Sequence, residues 1–311
     1  MTRVPLLIKP RGSTRQATEP AQKSLIVTAD DFGFSRAVNA GIIRAHREGV
    51  LTATSLMVTG AARDEAARLA REHSALDVGL HLVVCRGRAV LERQHLAGIV
   101  DAQNEFAENP TLAGMRYFFN RQVQSMLRDE IRAQIELHLA LIGQLNHLDG
   151  HLNFHVHPAI AAILVEMIEE YGIRSIRLPR EAVFTTLALA RNNAPRKLVE
   201  AVIFRTLSRR ARRLFASKGV QSSNWLFGLH QSGHLTEAYV AGVIARLPPG
   251  LTEFYFHPAE SEGEEASSAA ARREVAILTS SRIREALTLG GITLTNFAEV
   301  SPPSERQRGR Q

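Results

Sequence analysis

Short apolar runs recur along this 311-residue chain, and those with chemical potential stop at an acidic residue or a histidine just before a stretch of helical length. The run 24–29 ends in Asp30-Asp31-Phe32-Gly33, the run 78–82 carries His81, the run 147–150 is closed by His151, and the run 252–256 is closed by His257. Strand, turn and helix repeated in that order make successive strands parallel, because each helix carries the chain back across the sheet. Strands are expected at 25–29, 53–58, 78–82, 147–150, 173–178, 225–229, 252–256 and 291–295. Between them fall helices at 36–48, 64–73, 122–145, 159–171, 195–218, 237–247 and 274–289. Seven or eight such units predict an α/β fold, a TIM-like (β/α) barrel that is closed or slightly incomplete. Functional groups of such a barrel collect at the carboxyl ends of its strands, where Asp30, Asp31, His81, His151 and His257 all fall. The segment 84–119 is too long for a plain connection and reads as a lid or an inserted subelement, with Tyr117-Phe118-Phe119 placed to line a substrate mouth.

With 45% hydrophobic residues, a chain of this length buries a large core, and one barrel domain over 24–300 is expected. A basic arm, 1–23, holds Arg3, Lys9, Arg11, Arg15 and Lys23 against Glu19 alone; it and the tail 301–311 read as disordered. The single cysteine, Cys85, excludes an intrachain disulfide and reads as an inert thiol in a reducing compartment. No apolar stretch is long enough to span a bilayer, and the first residues carry proline and charge where a signal peptide needs a continuous apolar run. A soluble, cytoplasmic protein is expected. The net charge of +7 bears on association rather than fold. It comes without a nucleic-acid reader motif or aromatic–basic interleaving, so nucleic acid is not an expected partner.

Adjacent carboxylates cannot satisfy one another, which leaves one to hold a cation and the other to handle a proton. A divalent ion held by Asp31, His81 and His151 keeps positions open for water and a substrate oxygen. Asp30 is then the general base, and His257 the general acid that protonates the leaving group. Asp149 is placed to orient a ligand histidine. Donor types alone do not choose between magnesium and zinc. Each residue also has a plainer reading: a turn for Asp-Asp-Phe-Gly, a hydrogen-bonded core histidine for His81. The run His151, His155, His157 is costly as core and points to metal or a polar substrate. Glycoside hydrolysis by paired carboxylates is the rival class, disfavoured because neighbours on one strand point in different directions.

Ala29-Asp30-Asp31-Phe32-Gly33 with Val38-Asn39, then Val78-Gly79-Leu80-His81-Leu82, Asn146-His147-Leu148-Asp149-Gly150-His151, Arg177-Leu178-Pro179-Arg180-Glu181 and Phe256-His257-Pro258 resemble, in order and spacing, the YdjC-like carbohydrate deacetylases. The resemblance covers about 24–300. It implies a distorted TIM-like barrel of the glycoside hydrolase/deacetylase type, one divalent metal at Asp31, His81 and His151, a base at Asp30, and removal of acetate from an N-acetylated sugar. It also places Asp149, Asn153, His155 and Arg177 around the site, orienting ligands or touching substrate. The Phe-Gly-Phe-Ser start, the stretch 115–119 and the run 150–158 resemble the hopanoid-biosynthesis-associated branch (HpnK). That branch implies conversion of N-acetylglucosaminyl bacteriohopanetetrol to its glucosaminyl form, with soluble N-acetylated sugars such as chitooligosaccharides as the alternative. Asn153 is a departure, since many relatives carry histidine there.

Between Arg191 and Lys218 nine basic residues face only Glu200. With Pro195 at its start and Gly219 past its end, this segment reads as one helix. Two expectations attach to residues 195–218: peripheral contact with an anionic membrane at its inner surface, or a solvated arginine face on an ordinary barrel helix. A homo-oligomer is compatible with either.

Overall fold

A computed structural model describes residues 22–260 and 268–301. The expected basic arm lies outside them apart from Gln22 and Lys23, and Lys23 already begins the first strand; of the expected tail only Ser301 is described.

Eight strands form one parallel sheet: β1 (Lys23–Phe32), β2 (Ala53–Leu56), β3 (Asp77–Leu82), β4 (His147–Gly150), β5 (Ser175–Ile176), β6 (Trp225–Phe227), β7 (Gly250–Phe256) and β8 (Ile292–Leu294). The order across the sheet is β5-β4-β3-β2-β1-β7-β6. β1 is the pivot. Residues 23–29 run in step with β7, its first three residues also pair with β8, and its far half pairs with β2. Strands covered on both faces need apolar side chains throughout, and Leu25 to Ala29 are all buried.

The sheet curls, but no ladder joins β5 to β6. The gap is crossed by isolated bridges, Ser175 to Gln221 and Glu181 to Leu226. The strand expected over 173–178 shrinks to two residues because Pro179 cannot donate to a ladder and constrains Leu178 before it. The expected barrel is therefore a curled half-barrel sheet with an irregular seam.

Helices α1 (Arg36–Glu48), α2 (Arg63–Glu72), α3 (Pro110–Phe119), α4 (Arg121–Ile142), α5 (Pro158–Tyr171), α6 (Val183–Leu189), α7 (Ala194–Ala216), α8 (Glu237–Ile244), α9 (Ala269–Leu278), α10 (Ser281–Leu289) and α11 (Phe297–Val300) cover the sheet. Ser35 caps α1 by accepting the Val38 N–H, and Asn120 caps α4 in the same way. The helix expected over 274–289 divides into α9 and α10, because Ser280 accepts the Arg282 N–H and starts a new helix there.

Residues 84–109 form a packed insertion. Val84, Cys85, Leu96, Ile99 and Phe106 are buried in the main core. Gln134 of α4 pairs with both backbone groups of Val83, Glu130 accepts the N–H groups of Val90 and Leu91, and the Tyr117 hydroxyl donates to the Val84 carbonyl. Burial pushes the Cys85 thiol up to about 11, consistent with an inert side chain.

Candidate metal centre and active site

The register of β1 against β2 slips between Ala29, opposite Thr54, and Phe32, opposite Leu56. Asp30 and Asp31 thus share the space opposite Ser55, a β-bulge in which Asp31 takes φ +69°. The bulge overturns the expectation that these neighbours point apart. Both line one cavity of about 500 Å³, together with Phe34, Ser35, Val38 and His257. Just beyond, Gly33 has φ +89° and gives its N–H to the buried Asn39 side chain, which also binds the Ala62 carbonyl and Glu65.

Asp31 comes from β1, His81 from β3, and His151 from the turn after β4, and their tips converge. Asp31 Oδ1 lies 3.2 Å from His81 Nε2 and 3.3 Å from His151 Nδ1, and the two ring nitrogens are 3.3 Å apart. Asp31 Oδ1 is buried without a hydrogen-bond partner. Three donor atoms around one ion at about 2.0–2.2 Å stand about 3–3.5 Å from each other, so the residues present fit a divalent cation. Behind His81, its Nδ1 donates to Asp149 at 2.7 Å, which turns Nε2 towards Asp31. Burial alone would depress His81; Asp149 and Asp31 overcome it and raise the imidazole to about 10. Burial likewise opposes ionisation of Asp31, yet His151 and His81 hold it well below the usual carboxylate range. A proton on this pair stands where a metal would compete.

Asp30, His81 and Asp149 also come close enough to share an ion. A cation already serves the two carboxylates. The Arg177 guanidinium grips Asp30 through Nη1 at 2.7 Å and Nη2 at 2.8 Å, reaches Asp149 at 2.8 Å, and gives Nε to Glu253 at 2.7 Å. It lies 4.7 Å from the Tyr255 ring. This bidentate pairing occupies two of the roughly four acceptor positions on the Asp30 carboxylate and fixes its orientation. Three carboxylates around one arginine leave the site short of positive charge. Burial, against Arg177, raises Glu253 to about 7.

A family model described as YdjC-like protein matches residues 24–289. The chain belongs to the YdjC-like family. It is 30% identical over 290 residues to a carbohydrate deacetylase of Mus musculus, covering 87% of this chain and 92% of that protein. A chitooligosaccharide deacetylase of Salmonella paratyphi B is 35% identical over 166 residues, covering 52% of this chain and 62% of that protein. The bacterial relatives matched over half of this chain are themselves covered for only 59% to 62% of their length. A crystal structure from Enterococcus faecalis, provisionally assigned to cellobiose-phosphate cleavage, superimposes with a TM-score of 0.72 at 23% identity, covering 90% of this chain and all of that one. That likeness establishes a shared fold.

In this YdjC-like protein the histidine-rich run divides. His151 meets Asp31 and His81, whereas His155 is wholly buried and donates Nε2–H to the Arg177 carbonyl at 2.9 Å. Burial lowers His155 to about 4, which keeps it neutral. His157 stacks on Phe154 and meets Tyr117 and Phe118 edge-on. His155 thus supports the site from behind through Arg177, while the part-buried His157 packs among aromatic rings and lies outside the metal-compatible set. Arg177, 2% exposed, likewise works from behind the site. Asn153 adopts φ +59°, and its Oδ1 is buried without a hydrogen-bond partner. His257 lines the cavity, and its backbone N–H donates to Glu274.

Glu253, Tyr255 and Ser55 belong to the site but escaped sequence reasoning. Ser55 Oγ lies 3.1 Å from His81 Nδ1, and Thr28 donates to Glu253 at 3.2 Å. A signal was available for one of them: Glu253 interrupts an otherwise apolar central strand, and a buried charge there demands a partner.

Proposed function

We propose that this protein is a divalent-metal-dependent hydrolase that removes acetate from an N-acetylated sugar. The observation that carries the reading is the partnerless Asp31 Oδ1 facing two imidazole nitrogens, in the same cavity as Asp30 and His257. A divalent cation on Asp31, His81 and His151 would polarise the acetamide carbonyl. Asp30, held by Arg177, takes a proton from the water whose oxygen attacks the carbonyl carbon. As the C–N bond breaks, His257 protonates the departing amine, leaving acetate and a free amino sugar. Family membership and the named activities of the mouse and Salmonella relatives support this reading.

The finer substrate is the lipid-linked N-acetylglucosaminyl bacteriohopanetetrol. Exposed apolar side chains favour a lipid-bearing substrate: Phe34 in the cavity wall, Met115, Phe118 and Phe119 on α3, and Leu198, Val199, Val202 and Ile203 on α7. The same α7 residues beside their arginines favour peripheral membrane contact through 195–218. No described helix is long and apolar enough to cross a membrane. A soluble chitooligosaccharide is the second reading, favoured by the Salmonella relative. Enzymatic acetate release tests both. Release from the glycolipid well above release from chitooligosaccharide supports the lipid-linked reading, and the reverse supports the soluble one. Glycan shortening without acetate refutes deacetylation.

A further inference from the structure

We infer that the arginines of α7, with Arg180, form a binding site for a phosphate-class oxyanion at the seam between β5 and β6. A cavity of about 170 Å³ is lined there by Arg180, Arg205, Ser208, Arg209, Arg212 and Ser223. It shares no lining residue with the cavity at Asp30 and Asp31.

Positions 205, 208, 209 and 212 fall on one face of α7, so three guanidiniums and a hydroxyl look the same way. Arg180 approaches from the chain after β5, its guanidinium 4.5 Å from the Trp225 ring. No carboxylate lines the cavity, and none of the four arginines has a carboxylate partner among the described residues. Like charges three and four residues apart on a helix repel, so this clustering opposes α7 unless an anion sits among them.

A second, independent feature points the same way. Ser223 is 6% exposed, and its Oγ is buried without a hydrogen-bond partner. A buried hydroxyl left unpaired costs about 1–3 kcal/mol, a cost that an acceptor oxygen in the cavity removes. Ser208 donates to the Pro179 carbonyl and is thereby fixed in the wall. Burial, then repulsion from Arg212, Arg205 and Arg209, pulls Arg180 below its ordinary value, the mark of a cation lacking a counter-ion. Several planar forks around one small space match the many acceptors of a tetrahedral oxyanion better than the two of a carboxylate. A soluble phosphate ester and a phospholipid headgroup both carry this oxyanion.

Trp225 is the chain's one tryptophan and reports on Arg180 directly. Inorganic phosphate, titrated at constant ionic strength against chloride, is expected to give a saturable change in tryptophan emission. Arg209→Gln/Arg212→Gln, on exposed side chains, is expected to weaken it at least about tenfold, and Ser223→Ala to weaken it less. No saturable response by fluorescence or calorimetry up to about 10 mM phosphate, or the same response in the double variant, overturns the site. Co-sedimentation identifies the source. Capture by phosphatidic acid vesicles, reversed by inorganic phosphate, assigns a lipid headgroup; phosphate binding without capture assigns a soluble phosphate. Acetate release plays no part in this test, so its outcome is separate from that of the deacetylase reading.

Discussion

Asp31 and His81 face each other across a gap that hydrogen bonds do not fill, and each is held from behind, Asp31 by the bulge and His81 by Asp149. Removing the support should therefore cost affinity for the metal. Asp149→Asn is expected to lower affinity for a divalent cation about 10–100-fold in calorimetric titration. His81→Ala removes a ligand outright and should abolish acetate release; retained release at more than about a thousandth of the original rate would place the metal elsewhere. Glu253 makes a different prediction. Its folded value of about 7 lies above the ordinary 4.5, so the folded protein keeps a proton that the unfolded chain gives up. Stability from this group is full below about 4.5 and is lost as pH rises through about 7. The melting temperature should fall over that window in the native protein and change less in Glu253→Gln. Parallel pH profiles would mean that Glu253 is ionised in the fold.

The elements that position these residues were readable in proportion to how local their causes are. Apolar runs marked the strands, Ser35 marked the start of α1, and 147–150 matches β4. Other features have long-range causes. The bulge in β1 depends on its register with β2, and β5 depends on a seam that Pro179 prevents from pairing. The insertion 84–109 has no period of its own because its backbone groups pair across irregular turns, such as Arg86 N–H with the Ala107 carbonyl and Phe106 N–H with that of Gly87, and with Glu130 of α4. Glu130 shows this most clearly, being fully buried on α4 with one partner from its own helix, Gln134, and two from the insertion, the N–H groups of Val90 and Leu91. Glu130→Ala leaves two part-buried N–H groups without an acceptor and should destabilise the protein by about 1–3 kcal/mol in urea unfolding. A loss below about 0.5 kcal/mol would show that the insertion holds itself in place. Gly79 constrains β3 similarly, since a Cβ there would stand 2.4 Å from the His147 carbonyl oxygen.

Across the whole molecule, charge and topology lead to the same end of the sheet. Parallel strands bring Asp31, His81 and His151 together from positions 120 residues apart, and a single Arg177 serves Asp30, Asp149 and Glu253. The sequence could place each group at a strand end, but their sharing of one ion is a property of the curled sheet. Crystals soaked in zinc or manganese and measured at the metal's absorption edge test that convergence most directly. One anomalous peak is expected about 2.0–2.3 Å from Asp31 Oδ1, His81 Nε2 and His151 Nδ1. A peak at other residues, or none in a soaked crystal whose three side chains stay as described, would contradict it.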